Sequence, residues 1–164
     1  MSQAVRRWLL WTIRVVTAAG LAVDAYVHFD LAALYAEAGG TINEGLLFRV
    51  EAAVALVAAV AVIAIGRRVC YLAGLAVAGS ALAVMLVSRY VDLGQLGPFP
   101  DLYDPVWFPE KLLAAYAEGA ACVTALAGAI ITWPKPKVRR GLARANGGPQ
   151  EKAVSQQEVS RHEK

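Results

Sequence analysis

The chain contains few of the residues that metal-dependent, thiol-dependent and secreted proteins rely on. Among its 164 residues there are only two cysteines and two histidines. Two cysteines are too few for a disulfide-rich secreted framework. The sequence also lacks the HExxH, Walker, CxxC and GxSxG signatures, and it has no GxGxxG following a predicted strand. No common enzyme class is therefore indicated by a short motif.

Charge is also scarce. Charged residues make up 18% of the chain and hydrophobic residues 58%, with a mean hydropathy of +0.49. An ordinary soluble domain has about 25% charged and about 45–50% apolar residues. The composition excludes such a domain, a collagen-like chain and a wholly disordered chain. It predicts an integral membrane protein whose first partner is the lipid bilayer, and it gives no indication of nucleic-acid binding.

Four apolar segments are long enough to cross a bilayer, whose core of about 30 Å needs about 20 residues of helix. They cover residues 8–27, 46–65, 69–88 and 112–133. We therefore predict an all-α protein, an antiparallel four-helix membrane bundle formed by residues 1–134. Arg14 interrupts the first span and is expected to extend toward the lipid headgroups.

Residues 135–164 are almost entirely polar and are predicted to form a disordered, basic cytosolic tail. The start of the tail is a cluster of bases that could contact anionic lipid. An alternative interpretation is that these bases only determine the topology. The cluster consists of Lys135, Lys137, Arg139, Arg140 and Arg144.

The distribution of bases predicts the orientation. Most lysines and arginines precede the first span, separate the second from the third, or follow the fourth. Because such residues are retained in the cytoplasm, we predict a multi-pass protein of the cell membrane with both termini cytoplasmic. The acidic residues lie mostly on the opposite, outer side, and the orientation rule does not explain them.

The two outer loops differ in character. The first contains Leu31, Leu34 and Tyr35 at helical spacing, which predicts a short surface helix. The second, residues 89–111, is rich in proline and aromatic residues and is predicted to be non-helical. Its last proline, Pro109, suits the first turn of the fourth helix.

The two halves of the membrane region resemble each other. Each crosses outward and returns, and each returning span carries a glutamate near its outer end, Glu51 or Glu118. Two tandem helix hairpins would produce this pattern. Chance similarity in Ala/Val-rich sequence would produce it too, and both interpretations stay open.

Ionisable residues recur in the outer part of the spans. Asp24 and His28 lie four residues apart and so share a helix face. Because charged groups are costly in hydrocarbon, these residues are expected to face one another inside the bundle. The predicted polar cluster, which is also the candidate ligand site, consists of Asp24, His28, Glu51, Arg89, Asp92 and Glu118, with Arg49 near its rim.

Several functions are consistent with such a cluster. Arginine–carboxylate pairs could hold the helices in register. The cluster could instead bind a lipid or quinone, with a glutamate as proton donor or acceptor. A metal site and ion translocation are further alternatives. His28 and its neighbours match no distinctive metal-ligand spacing, so no metal ligand, catalytic residue or cofactor is assigned.

The stretch VEAAVALVAAV around Glu51, within a four-span plan, resembles the DoxX-like small membrane proteins of bacteria. The resemblance covers about residues 8–133. The first span, GLAVDAYVHFD, retains Gly20 and His28 but adds the acids Asp24 and Asp30. The resemblance implies quinone-related chemistry, as in some members of that family, with Glu51 as the residue carried over.

The sequence as a whole favours a non-catalytic accessory protein or subunit of a larger envelope complex, and enzymatic activity stays open. The partner would be a larger membrane protein or a second copy of the chain. The alternative is a DoxX-like membrane site that binds a quinone or lipid.

Overall fold

The fold is known from a computed structural model, which describes residues 2–36 and 42–134. The tail, with its predicted lipid-contact residues, lies outside the described residues. Four helices account for most of the described chain, and no strand is found in the described ranges. They are α1 (Gln3–Leu31), α2 (Glu44–Ala64), α3 (Arg68–Tyr90) and α4 (Pro109–Ile131).

All four helices are long and apolar enough to cross a membrane, as the sequence predicts. Their ends follow local sequence signals. The side chains of Ser2 and Asn43 accept hydrogen bonds from the first turns of α1 and α2. Pro109 occupies the first turn of α4. Gly66 adopts a φ of 57° in the short turn between α2 and α3, a conformation that favours glycine.

The helices form a ring in which chain neighbours are also spatial neighbours and α4 closes against α1. Arg14 of α1 reaches the end of α2, and Arg68 at the start of α3 stacks 3.3 Å from the ring centre of Trp133 after α4. These contacts define one end of the ring, which we call the proximal end. At the other, distal end, His28 of α1 packs against Phe48 of α2. Neighbouring helices therefore run antiparallel.

The interior is built from small side chains, mainly alanine. A close approach of two backbones joins α1 to α4, where a Cβ added at Gly20 would lie 2.7 Å from the carbonyl oxygen of Ala117. One turn away, the hydroxyl of Thr17 donates to Oγ1 of Thr124 at 2.8 Å. Small residues and hydroxyl pairs are typical of helix contacts in membranes, because they allow close backbone approach. The α1–α4 contact is consequently tight and fixed in register.

The outward faces of the helices carry many large apolar side chains. Examples from α2 are Val54, Leu56, Val57 and Val60, all of which are exposed. A soluble monomer rarely exposes apolar area on this scale. These faces fit a lipid environment.

At the proximal end, Arg14 makes a contact that the sequence does not predict. Its guanidinium donates to the backbone carbonyl of Ile65 at 2.6 Å and lies 5.1 Å from the ring centre of Trp11. The arginine therefore satisfies a carbonyl at the end of α2. A side chain at Gly66 would collide with this guanidinium.

The distal loops also differ from prediction. α1 continues to Leu31 and ends in turns, so the segment around Leu34 and Tyr35 forms no separate helix. The proline-rich segment after α3 is non-helical, as predicted. Its aspartates Asp92, Asp101 and Asp104 each accept a hydrogen bond from a backbone N–H two residues ahead, an arrangement typical of Asx turns. Turn formation accounts for part of the acidity of this end.

We expect Gly20→Ala to lower the stability of the bundle by about 1–3 kcal/mol, because the added methyl group meets the backbone of α4. The matched control is Gly119→Ala on α4, where an added Cβ meets nothing within 4 Å. That change should be neutral or stabilising by up to about 1 kcal/mol. Thermal unfolding in detergent measures both. Equal effects would contradict the close α1–α4 contact.

Candidate functional site

Two carboxylates are completely buried between α1 and α4 near the distal end. Asp24 and Glu118 both have an exposed fraction of 0%. Asp24 lies one turn of helix after Gly20, and Glu118 directly follows Ala117, so both acids lie next to the point where the two backbones approach each other. Burial of both acids is a direct result of the small residues that line this contact.

His28 lies one turn after Asp24 and joins the pair. Its Nδ1 is 2.8 Å from Oδ1 of Asp24 and 3.1 Å from the Asp24 carbonyl oxygen. The contact with Oδ1 has the distance of an ion pair but not the geometry of a hydrogen bond. The contact with the carbonyl oxygen has hydrogen-bond geometry. The imidazole also packs edge-on against Phe48, with ring centres 5.2 Å apart. Its side chain is 13% exposed.

Asp24, His28 and Glu118 together form what we call the triad. One potential ligand atom from each lies within 4.8 Å of those from the other two. In the described residues, no N–H or O–H group donates a hydrogen bond to any of the four carboxylate oxygens of Asp24 and Glu118. Buried polar groups are normally hydrogen-bonded, so these four oxygens are exceptional.

Glu51 reaches the same region from α2. Its side chain is partly buried, and Oε1 is inaccessible to solvent without a hydrogen-bond partner. Glu51 and His28 both line a cavity at the distal end. The structure thus brings four of the seven predicted site residues into one region.

The other three predicted residues lie elsewhere, which corrects the sequence-based cluster. Arg49 is exposed on the surface of α2. The guanidinium of Arg89 lies 5.1 Å from the ring centre of Tyr90 and 5.9 Å from that of Trp107. Asp92 is exposed beyond the end of α3, where its carboxylate caps a turn. Because α3 stops at Tyr90, helical spacing does not carry to Asp92.

This placement also changes the expected electrostatics. Within residues 2–36 and 42–134, no lysine or arginine forms an ion pair with Asp24, Glu51 or Glu118. The arginine–carboxylate lock, one of the interpretations that the sequence leaves open, is not found among these residues. The guanidinium of Arg89 instead lies near aromatic rings, a contact that is favourable for a cation.

The cavity at the distal end has a volume of about 390 Å³. Helices α2 and α3, which contact each other less than the other neighbouring pairs, supply much of its wall. Most of the surface of this wall is apolar. The main apolar residues are Val27, Leu31, Leu47, Phe48, Val84, Met85, Phe99, Leu102 and Phe108.

Polar side chains from all four helices and both distal loops also line this wall. They are His28, Tyr35, Glu44, Glu51, Ser80, Ser88, Asp104 and Lys111. Lys111 is only 6% exposed, and its ammonium group donates to the carbonyl and to Oδ2 of Asp104, at 2.7 and 3.0 Å.

Tyr35, which lies outside the spans, is partly buried in this wall. Burial, with smaller contributions from Asp104 and Glu44, raises the pKa of its hydroxyl above the ordinary value. The hydroxyl therefore stays protonated, and able to donate a hydrogen bond, at neutral pH.

The predicted site did not include Tyr35, Asp104 or Lys111. Tyr35 and Asp104 belong to loops, and loop conformation has no periodic signal. The spacing of Lys111 and Glu118 in the sequence shows that they share a helix face. The contact between Lys111 and Asp104 cannot be read from the sequence.

No family model, curated protein or solved structure matches this chain. The geometry of the distal end is therefore the basis for assigning a function.

We expect Lys111→Met to loosen the loop that closes the cavity, because Oδ2 and the carbonyl oxygen of Asp104 both lose the ammonium donor. The cost of an unsatisfied, partly buried group is about 1–3 kcal/mol. Hydrogen exchange should accelerate at Asp104 and its neighbours while the helices stay protected. Exposed Glu110, changed to glutamine, is the control. Unchanged exchange in Lys111→Met would show that the contact does not hold the loop.

Proposed function

We propose that this chain is a small multi-pass membrane protein that binds an amphipathic, bilayer-soluble molecule in its distal cavity. The observation that carries the proposal is an apolar cavity of about 390 Å³ with His28 and Glu51 in its wall. Ligand sites typically have volumes of about 300–1,000 Å³, apolar walls and a few converging polar groups. The cavity has each of these properties.

The position of the cavity supports entry from the bilayer. Val50 of α2 and Val84 of α3 belong to its wall and are 54% and 55% exposed. Both belong to the apolar outer surface that fits lipid. A molecule dissolved in the bilayer could therefore enter between α2 and α3 without crossing the polar loops.

The charges in the cavity favour a neutral head group. Glu44, Glu51 and Asp104 contribute carboxyl groups. Lys111, the one lysine or arginine among the described residues of the wall, already pairs with Asp104. The wall therefore offers an anionic phospholipid no free ammonium or guanidinium group. A quinone has uncharged carbonyl oxygens that His28 and Tyr35 could contact as hydrogen-bond donors. We therefore favour a quinone over an anionic lipid.

The resemblance to DoxX-like proteins agrees with this proposal, because Glu51, the residue carried over from that family, lines the cavity. Proton transfer by Glu51 stays a prediction, and enzymatic activity stays open. So does the role of accessory subunit that the sequence favours, since no described contact identifies a protein partner.

The proposal is tested by filling the cavity. We expect Ala81→Leu, in the cavity wall, to reduce binding of a short-chain benzoquinone at least about tenfold, because one bulky side chain occupies the space of the ring. Ala76→Leu, on an exposed position of the same helix, should bind like wild type. Glu51→Gln, with Glu110→Gln as control, tests the polar contact. Titration in detergent measures all four.

A parallel titration with a short-chain phosphatidylglycerol separates the two ligand classes. Tighter binding of this lipid than of the benzoquinone would overturn the preference for a quinone. If neither molecule binds wild type, or if Ala81→Leu binds both normally, the cavity is not the site.

We also propose that the distal end faces outward and that both termini are cytoplasmic, on the basis of the charge distribution. In a variant with Cys70 and Cys122 replaced by serine, Leu34→Cys should react with an impermeant maleimide in intact cells. Ala4→Cys should react only after lysis, since it lies at the proximal end. The reverse pattern would invert the topology. Both positions are exposed, so access by the reagent is not limited by burial.

A further inference from the structure

We propose that the triad of Asp24, His28 and Glu118 binds one divalent transition-metal ion. The proposal does not rest on the quinone site, because Asp24 and Glu118 are absent from the cavity wall. It rests on the burial of the two carboxylates and on the absence of hydrogen-bond donors to them in the described residues.

Charge balance is the first argument. Ionisation of both carboxyl groups, each of which is 0% exposed, would require a positive charge nearby, since an isolated buried charge is very costly. A protonated His28 would neutralise only one of them. A divalent cation with neutral His28 would neutralise both.

No side chain of the described residues supplies the missing charge. Lys111 pairs with Asp104, and Arg89 lies over the aromatic rings of Tyr90 and Trp107. Arg49 is exposed. The triad therefore lacks the arginine or lysine that usually compensates buried acids.

Geometry is the second argument. The three donor atoms lie within 4.8 Å of one another, and ligand atoms on one metal with bonds of about 2.0–2.2 Å are at most about 4.4 Å apart. A small rotation of a carboxylate closes this difference. Both carboxylates lack hydrogen bonds that would oppose such a rotation.

The backbone around the triad is well positioned for a site. Asp24 and His28 are one turn apart on α1, and Glu118 faces them from α4. The close approach at Gly20 and the hydroxyl pair of Thr17 with Thr124 fix the spacing of these two helices. Ligands on rigid helices hold their positions better than ligands on loops.

The donor set indicates the class of metal. One imidazole and two carboxylates suit Zn²⁺, Mn²⁺ or Fe²⁺, whereas Ca²⁺ and Mg²⁺ prefer oxygen ligands alone. Thiolates are not among the donors, which disfavours Cu⁺. His28 also belongs to the cavity wall, so the metal would lie beside the proposed quinone site.

The test is metal binding by the full chain, purified with an affinity tag that contains no histidine. After removal of metal with a chelator, the protein is loaded with Zn²⁺ or Mn²⁺ alone, desalted and analysed for metal content. We expect one ion per chain. Asp24→Asn and Glu118→Gln should each weaken binding at least about tenfold, because loss of an outer-sphere partner alone already costs about 10–100-fold. Asp30→Asn, exposed on the same helix, is the matched control.

Loading with Co²⁺ gives a second measurement that does not depend on stability. Bound Co²⁺ should give visible absorption bands in wild type and in Asp30→Asn, and these bands should be lost or changed in any triad variant that stays helical by circular dichroism.

Failure of wild type to bind Zn²⁺, Mn²⁺ and Co²⁺ would overturn the metal site. A folded Asp24→Asn variant that binds metal as tightly as wild type would also overturn the metal site. Ala81→Leu distinguishes the two proposals, because it should lose the benzoquinone and keep the metal.

Discussion

The contact between α1 and α4 is the constraint on which the rest of the molecule depends. Gly20 and the facing alanines allow these two helices to approach until backbone meets side chain. Asp24 and Glu118 are fully buried in this contact. No lysine or arginine of the described residues forms an ion pair with either acid. The close packing of α1 and α4 therefore determines the environment of both carboxyl groups.

The opposite side of the ring has a different construction. There α2 and α3 contact each other less, and the space between them is the distal cavity. The bundle thus combines a closed face, which fixes the positions of ionisable groups, with an open face, through which a bilayer molecule can arrive. His28 connects the two, since it contacts Asp24 on one side and lines the cavity on the other.

The four helices could be predicted from the sequence, because the length and hydropathy of a span depend only on residues that are neighbours in the chain. Membership of the polar cluster was harder to predict. Depth along a helix is readable from spacing, so Asp24, His28, Glu51 and Glu118 were found. Rotation of Arg49 toward the surface and the end of α3 before Asp92 depend on packing between helices, and no periodicity encodes either. The same holds for Asp104, whose contact with Lys111 depends on an irregular loop.

Arg14 links the first helix to the second. Its guanidinium is satisfied by the carbonyl of Ile65, a group that belongs to the second helix and is synthesised later. Within α1 alone the guanidinium has the ring of Trp11 beside it but no backbone carbonyl to accept its hydrogen bond. The end of α2 supplies that acceptor, and the glycine that follows it leaves the necessary space. The environment of a charged group in the first helix is therefore completed by the helix that follows it in the chain.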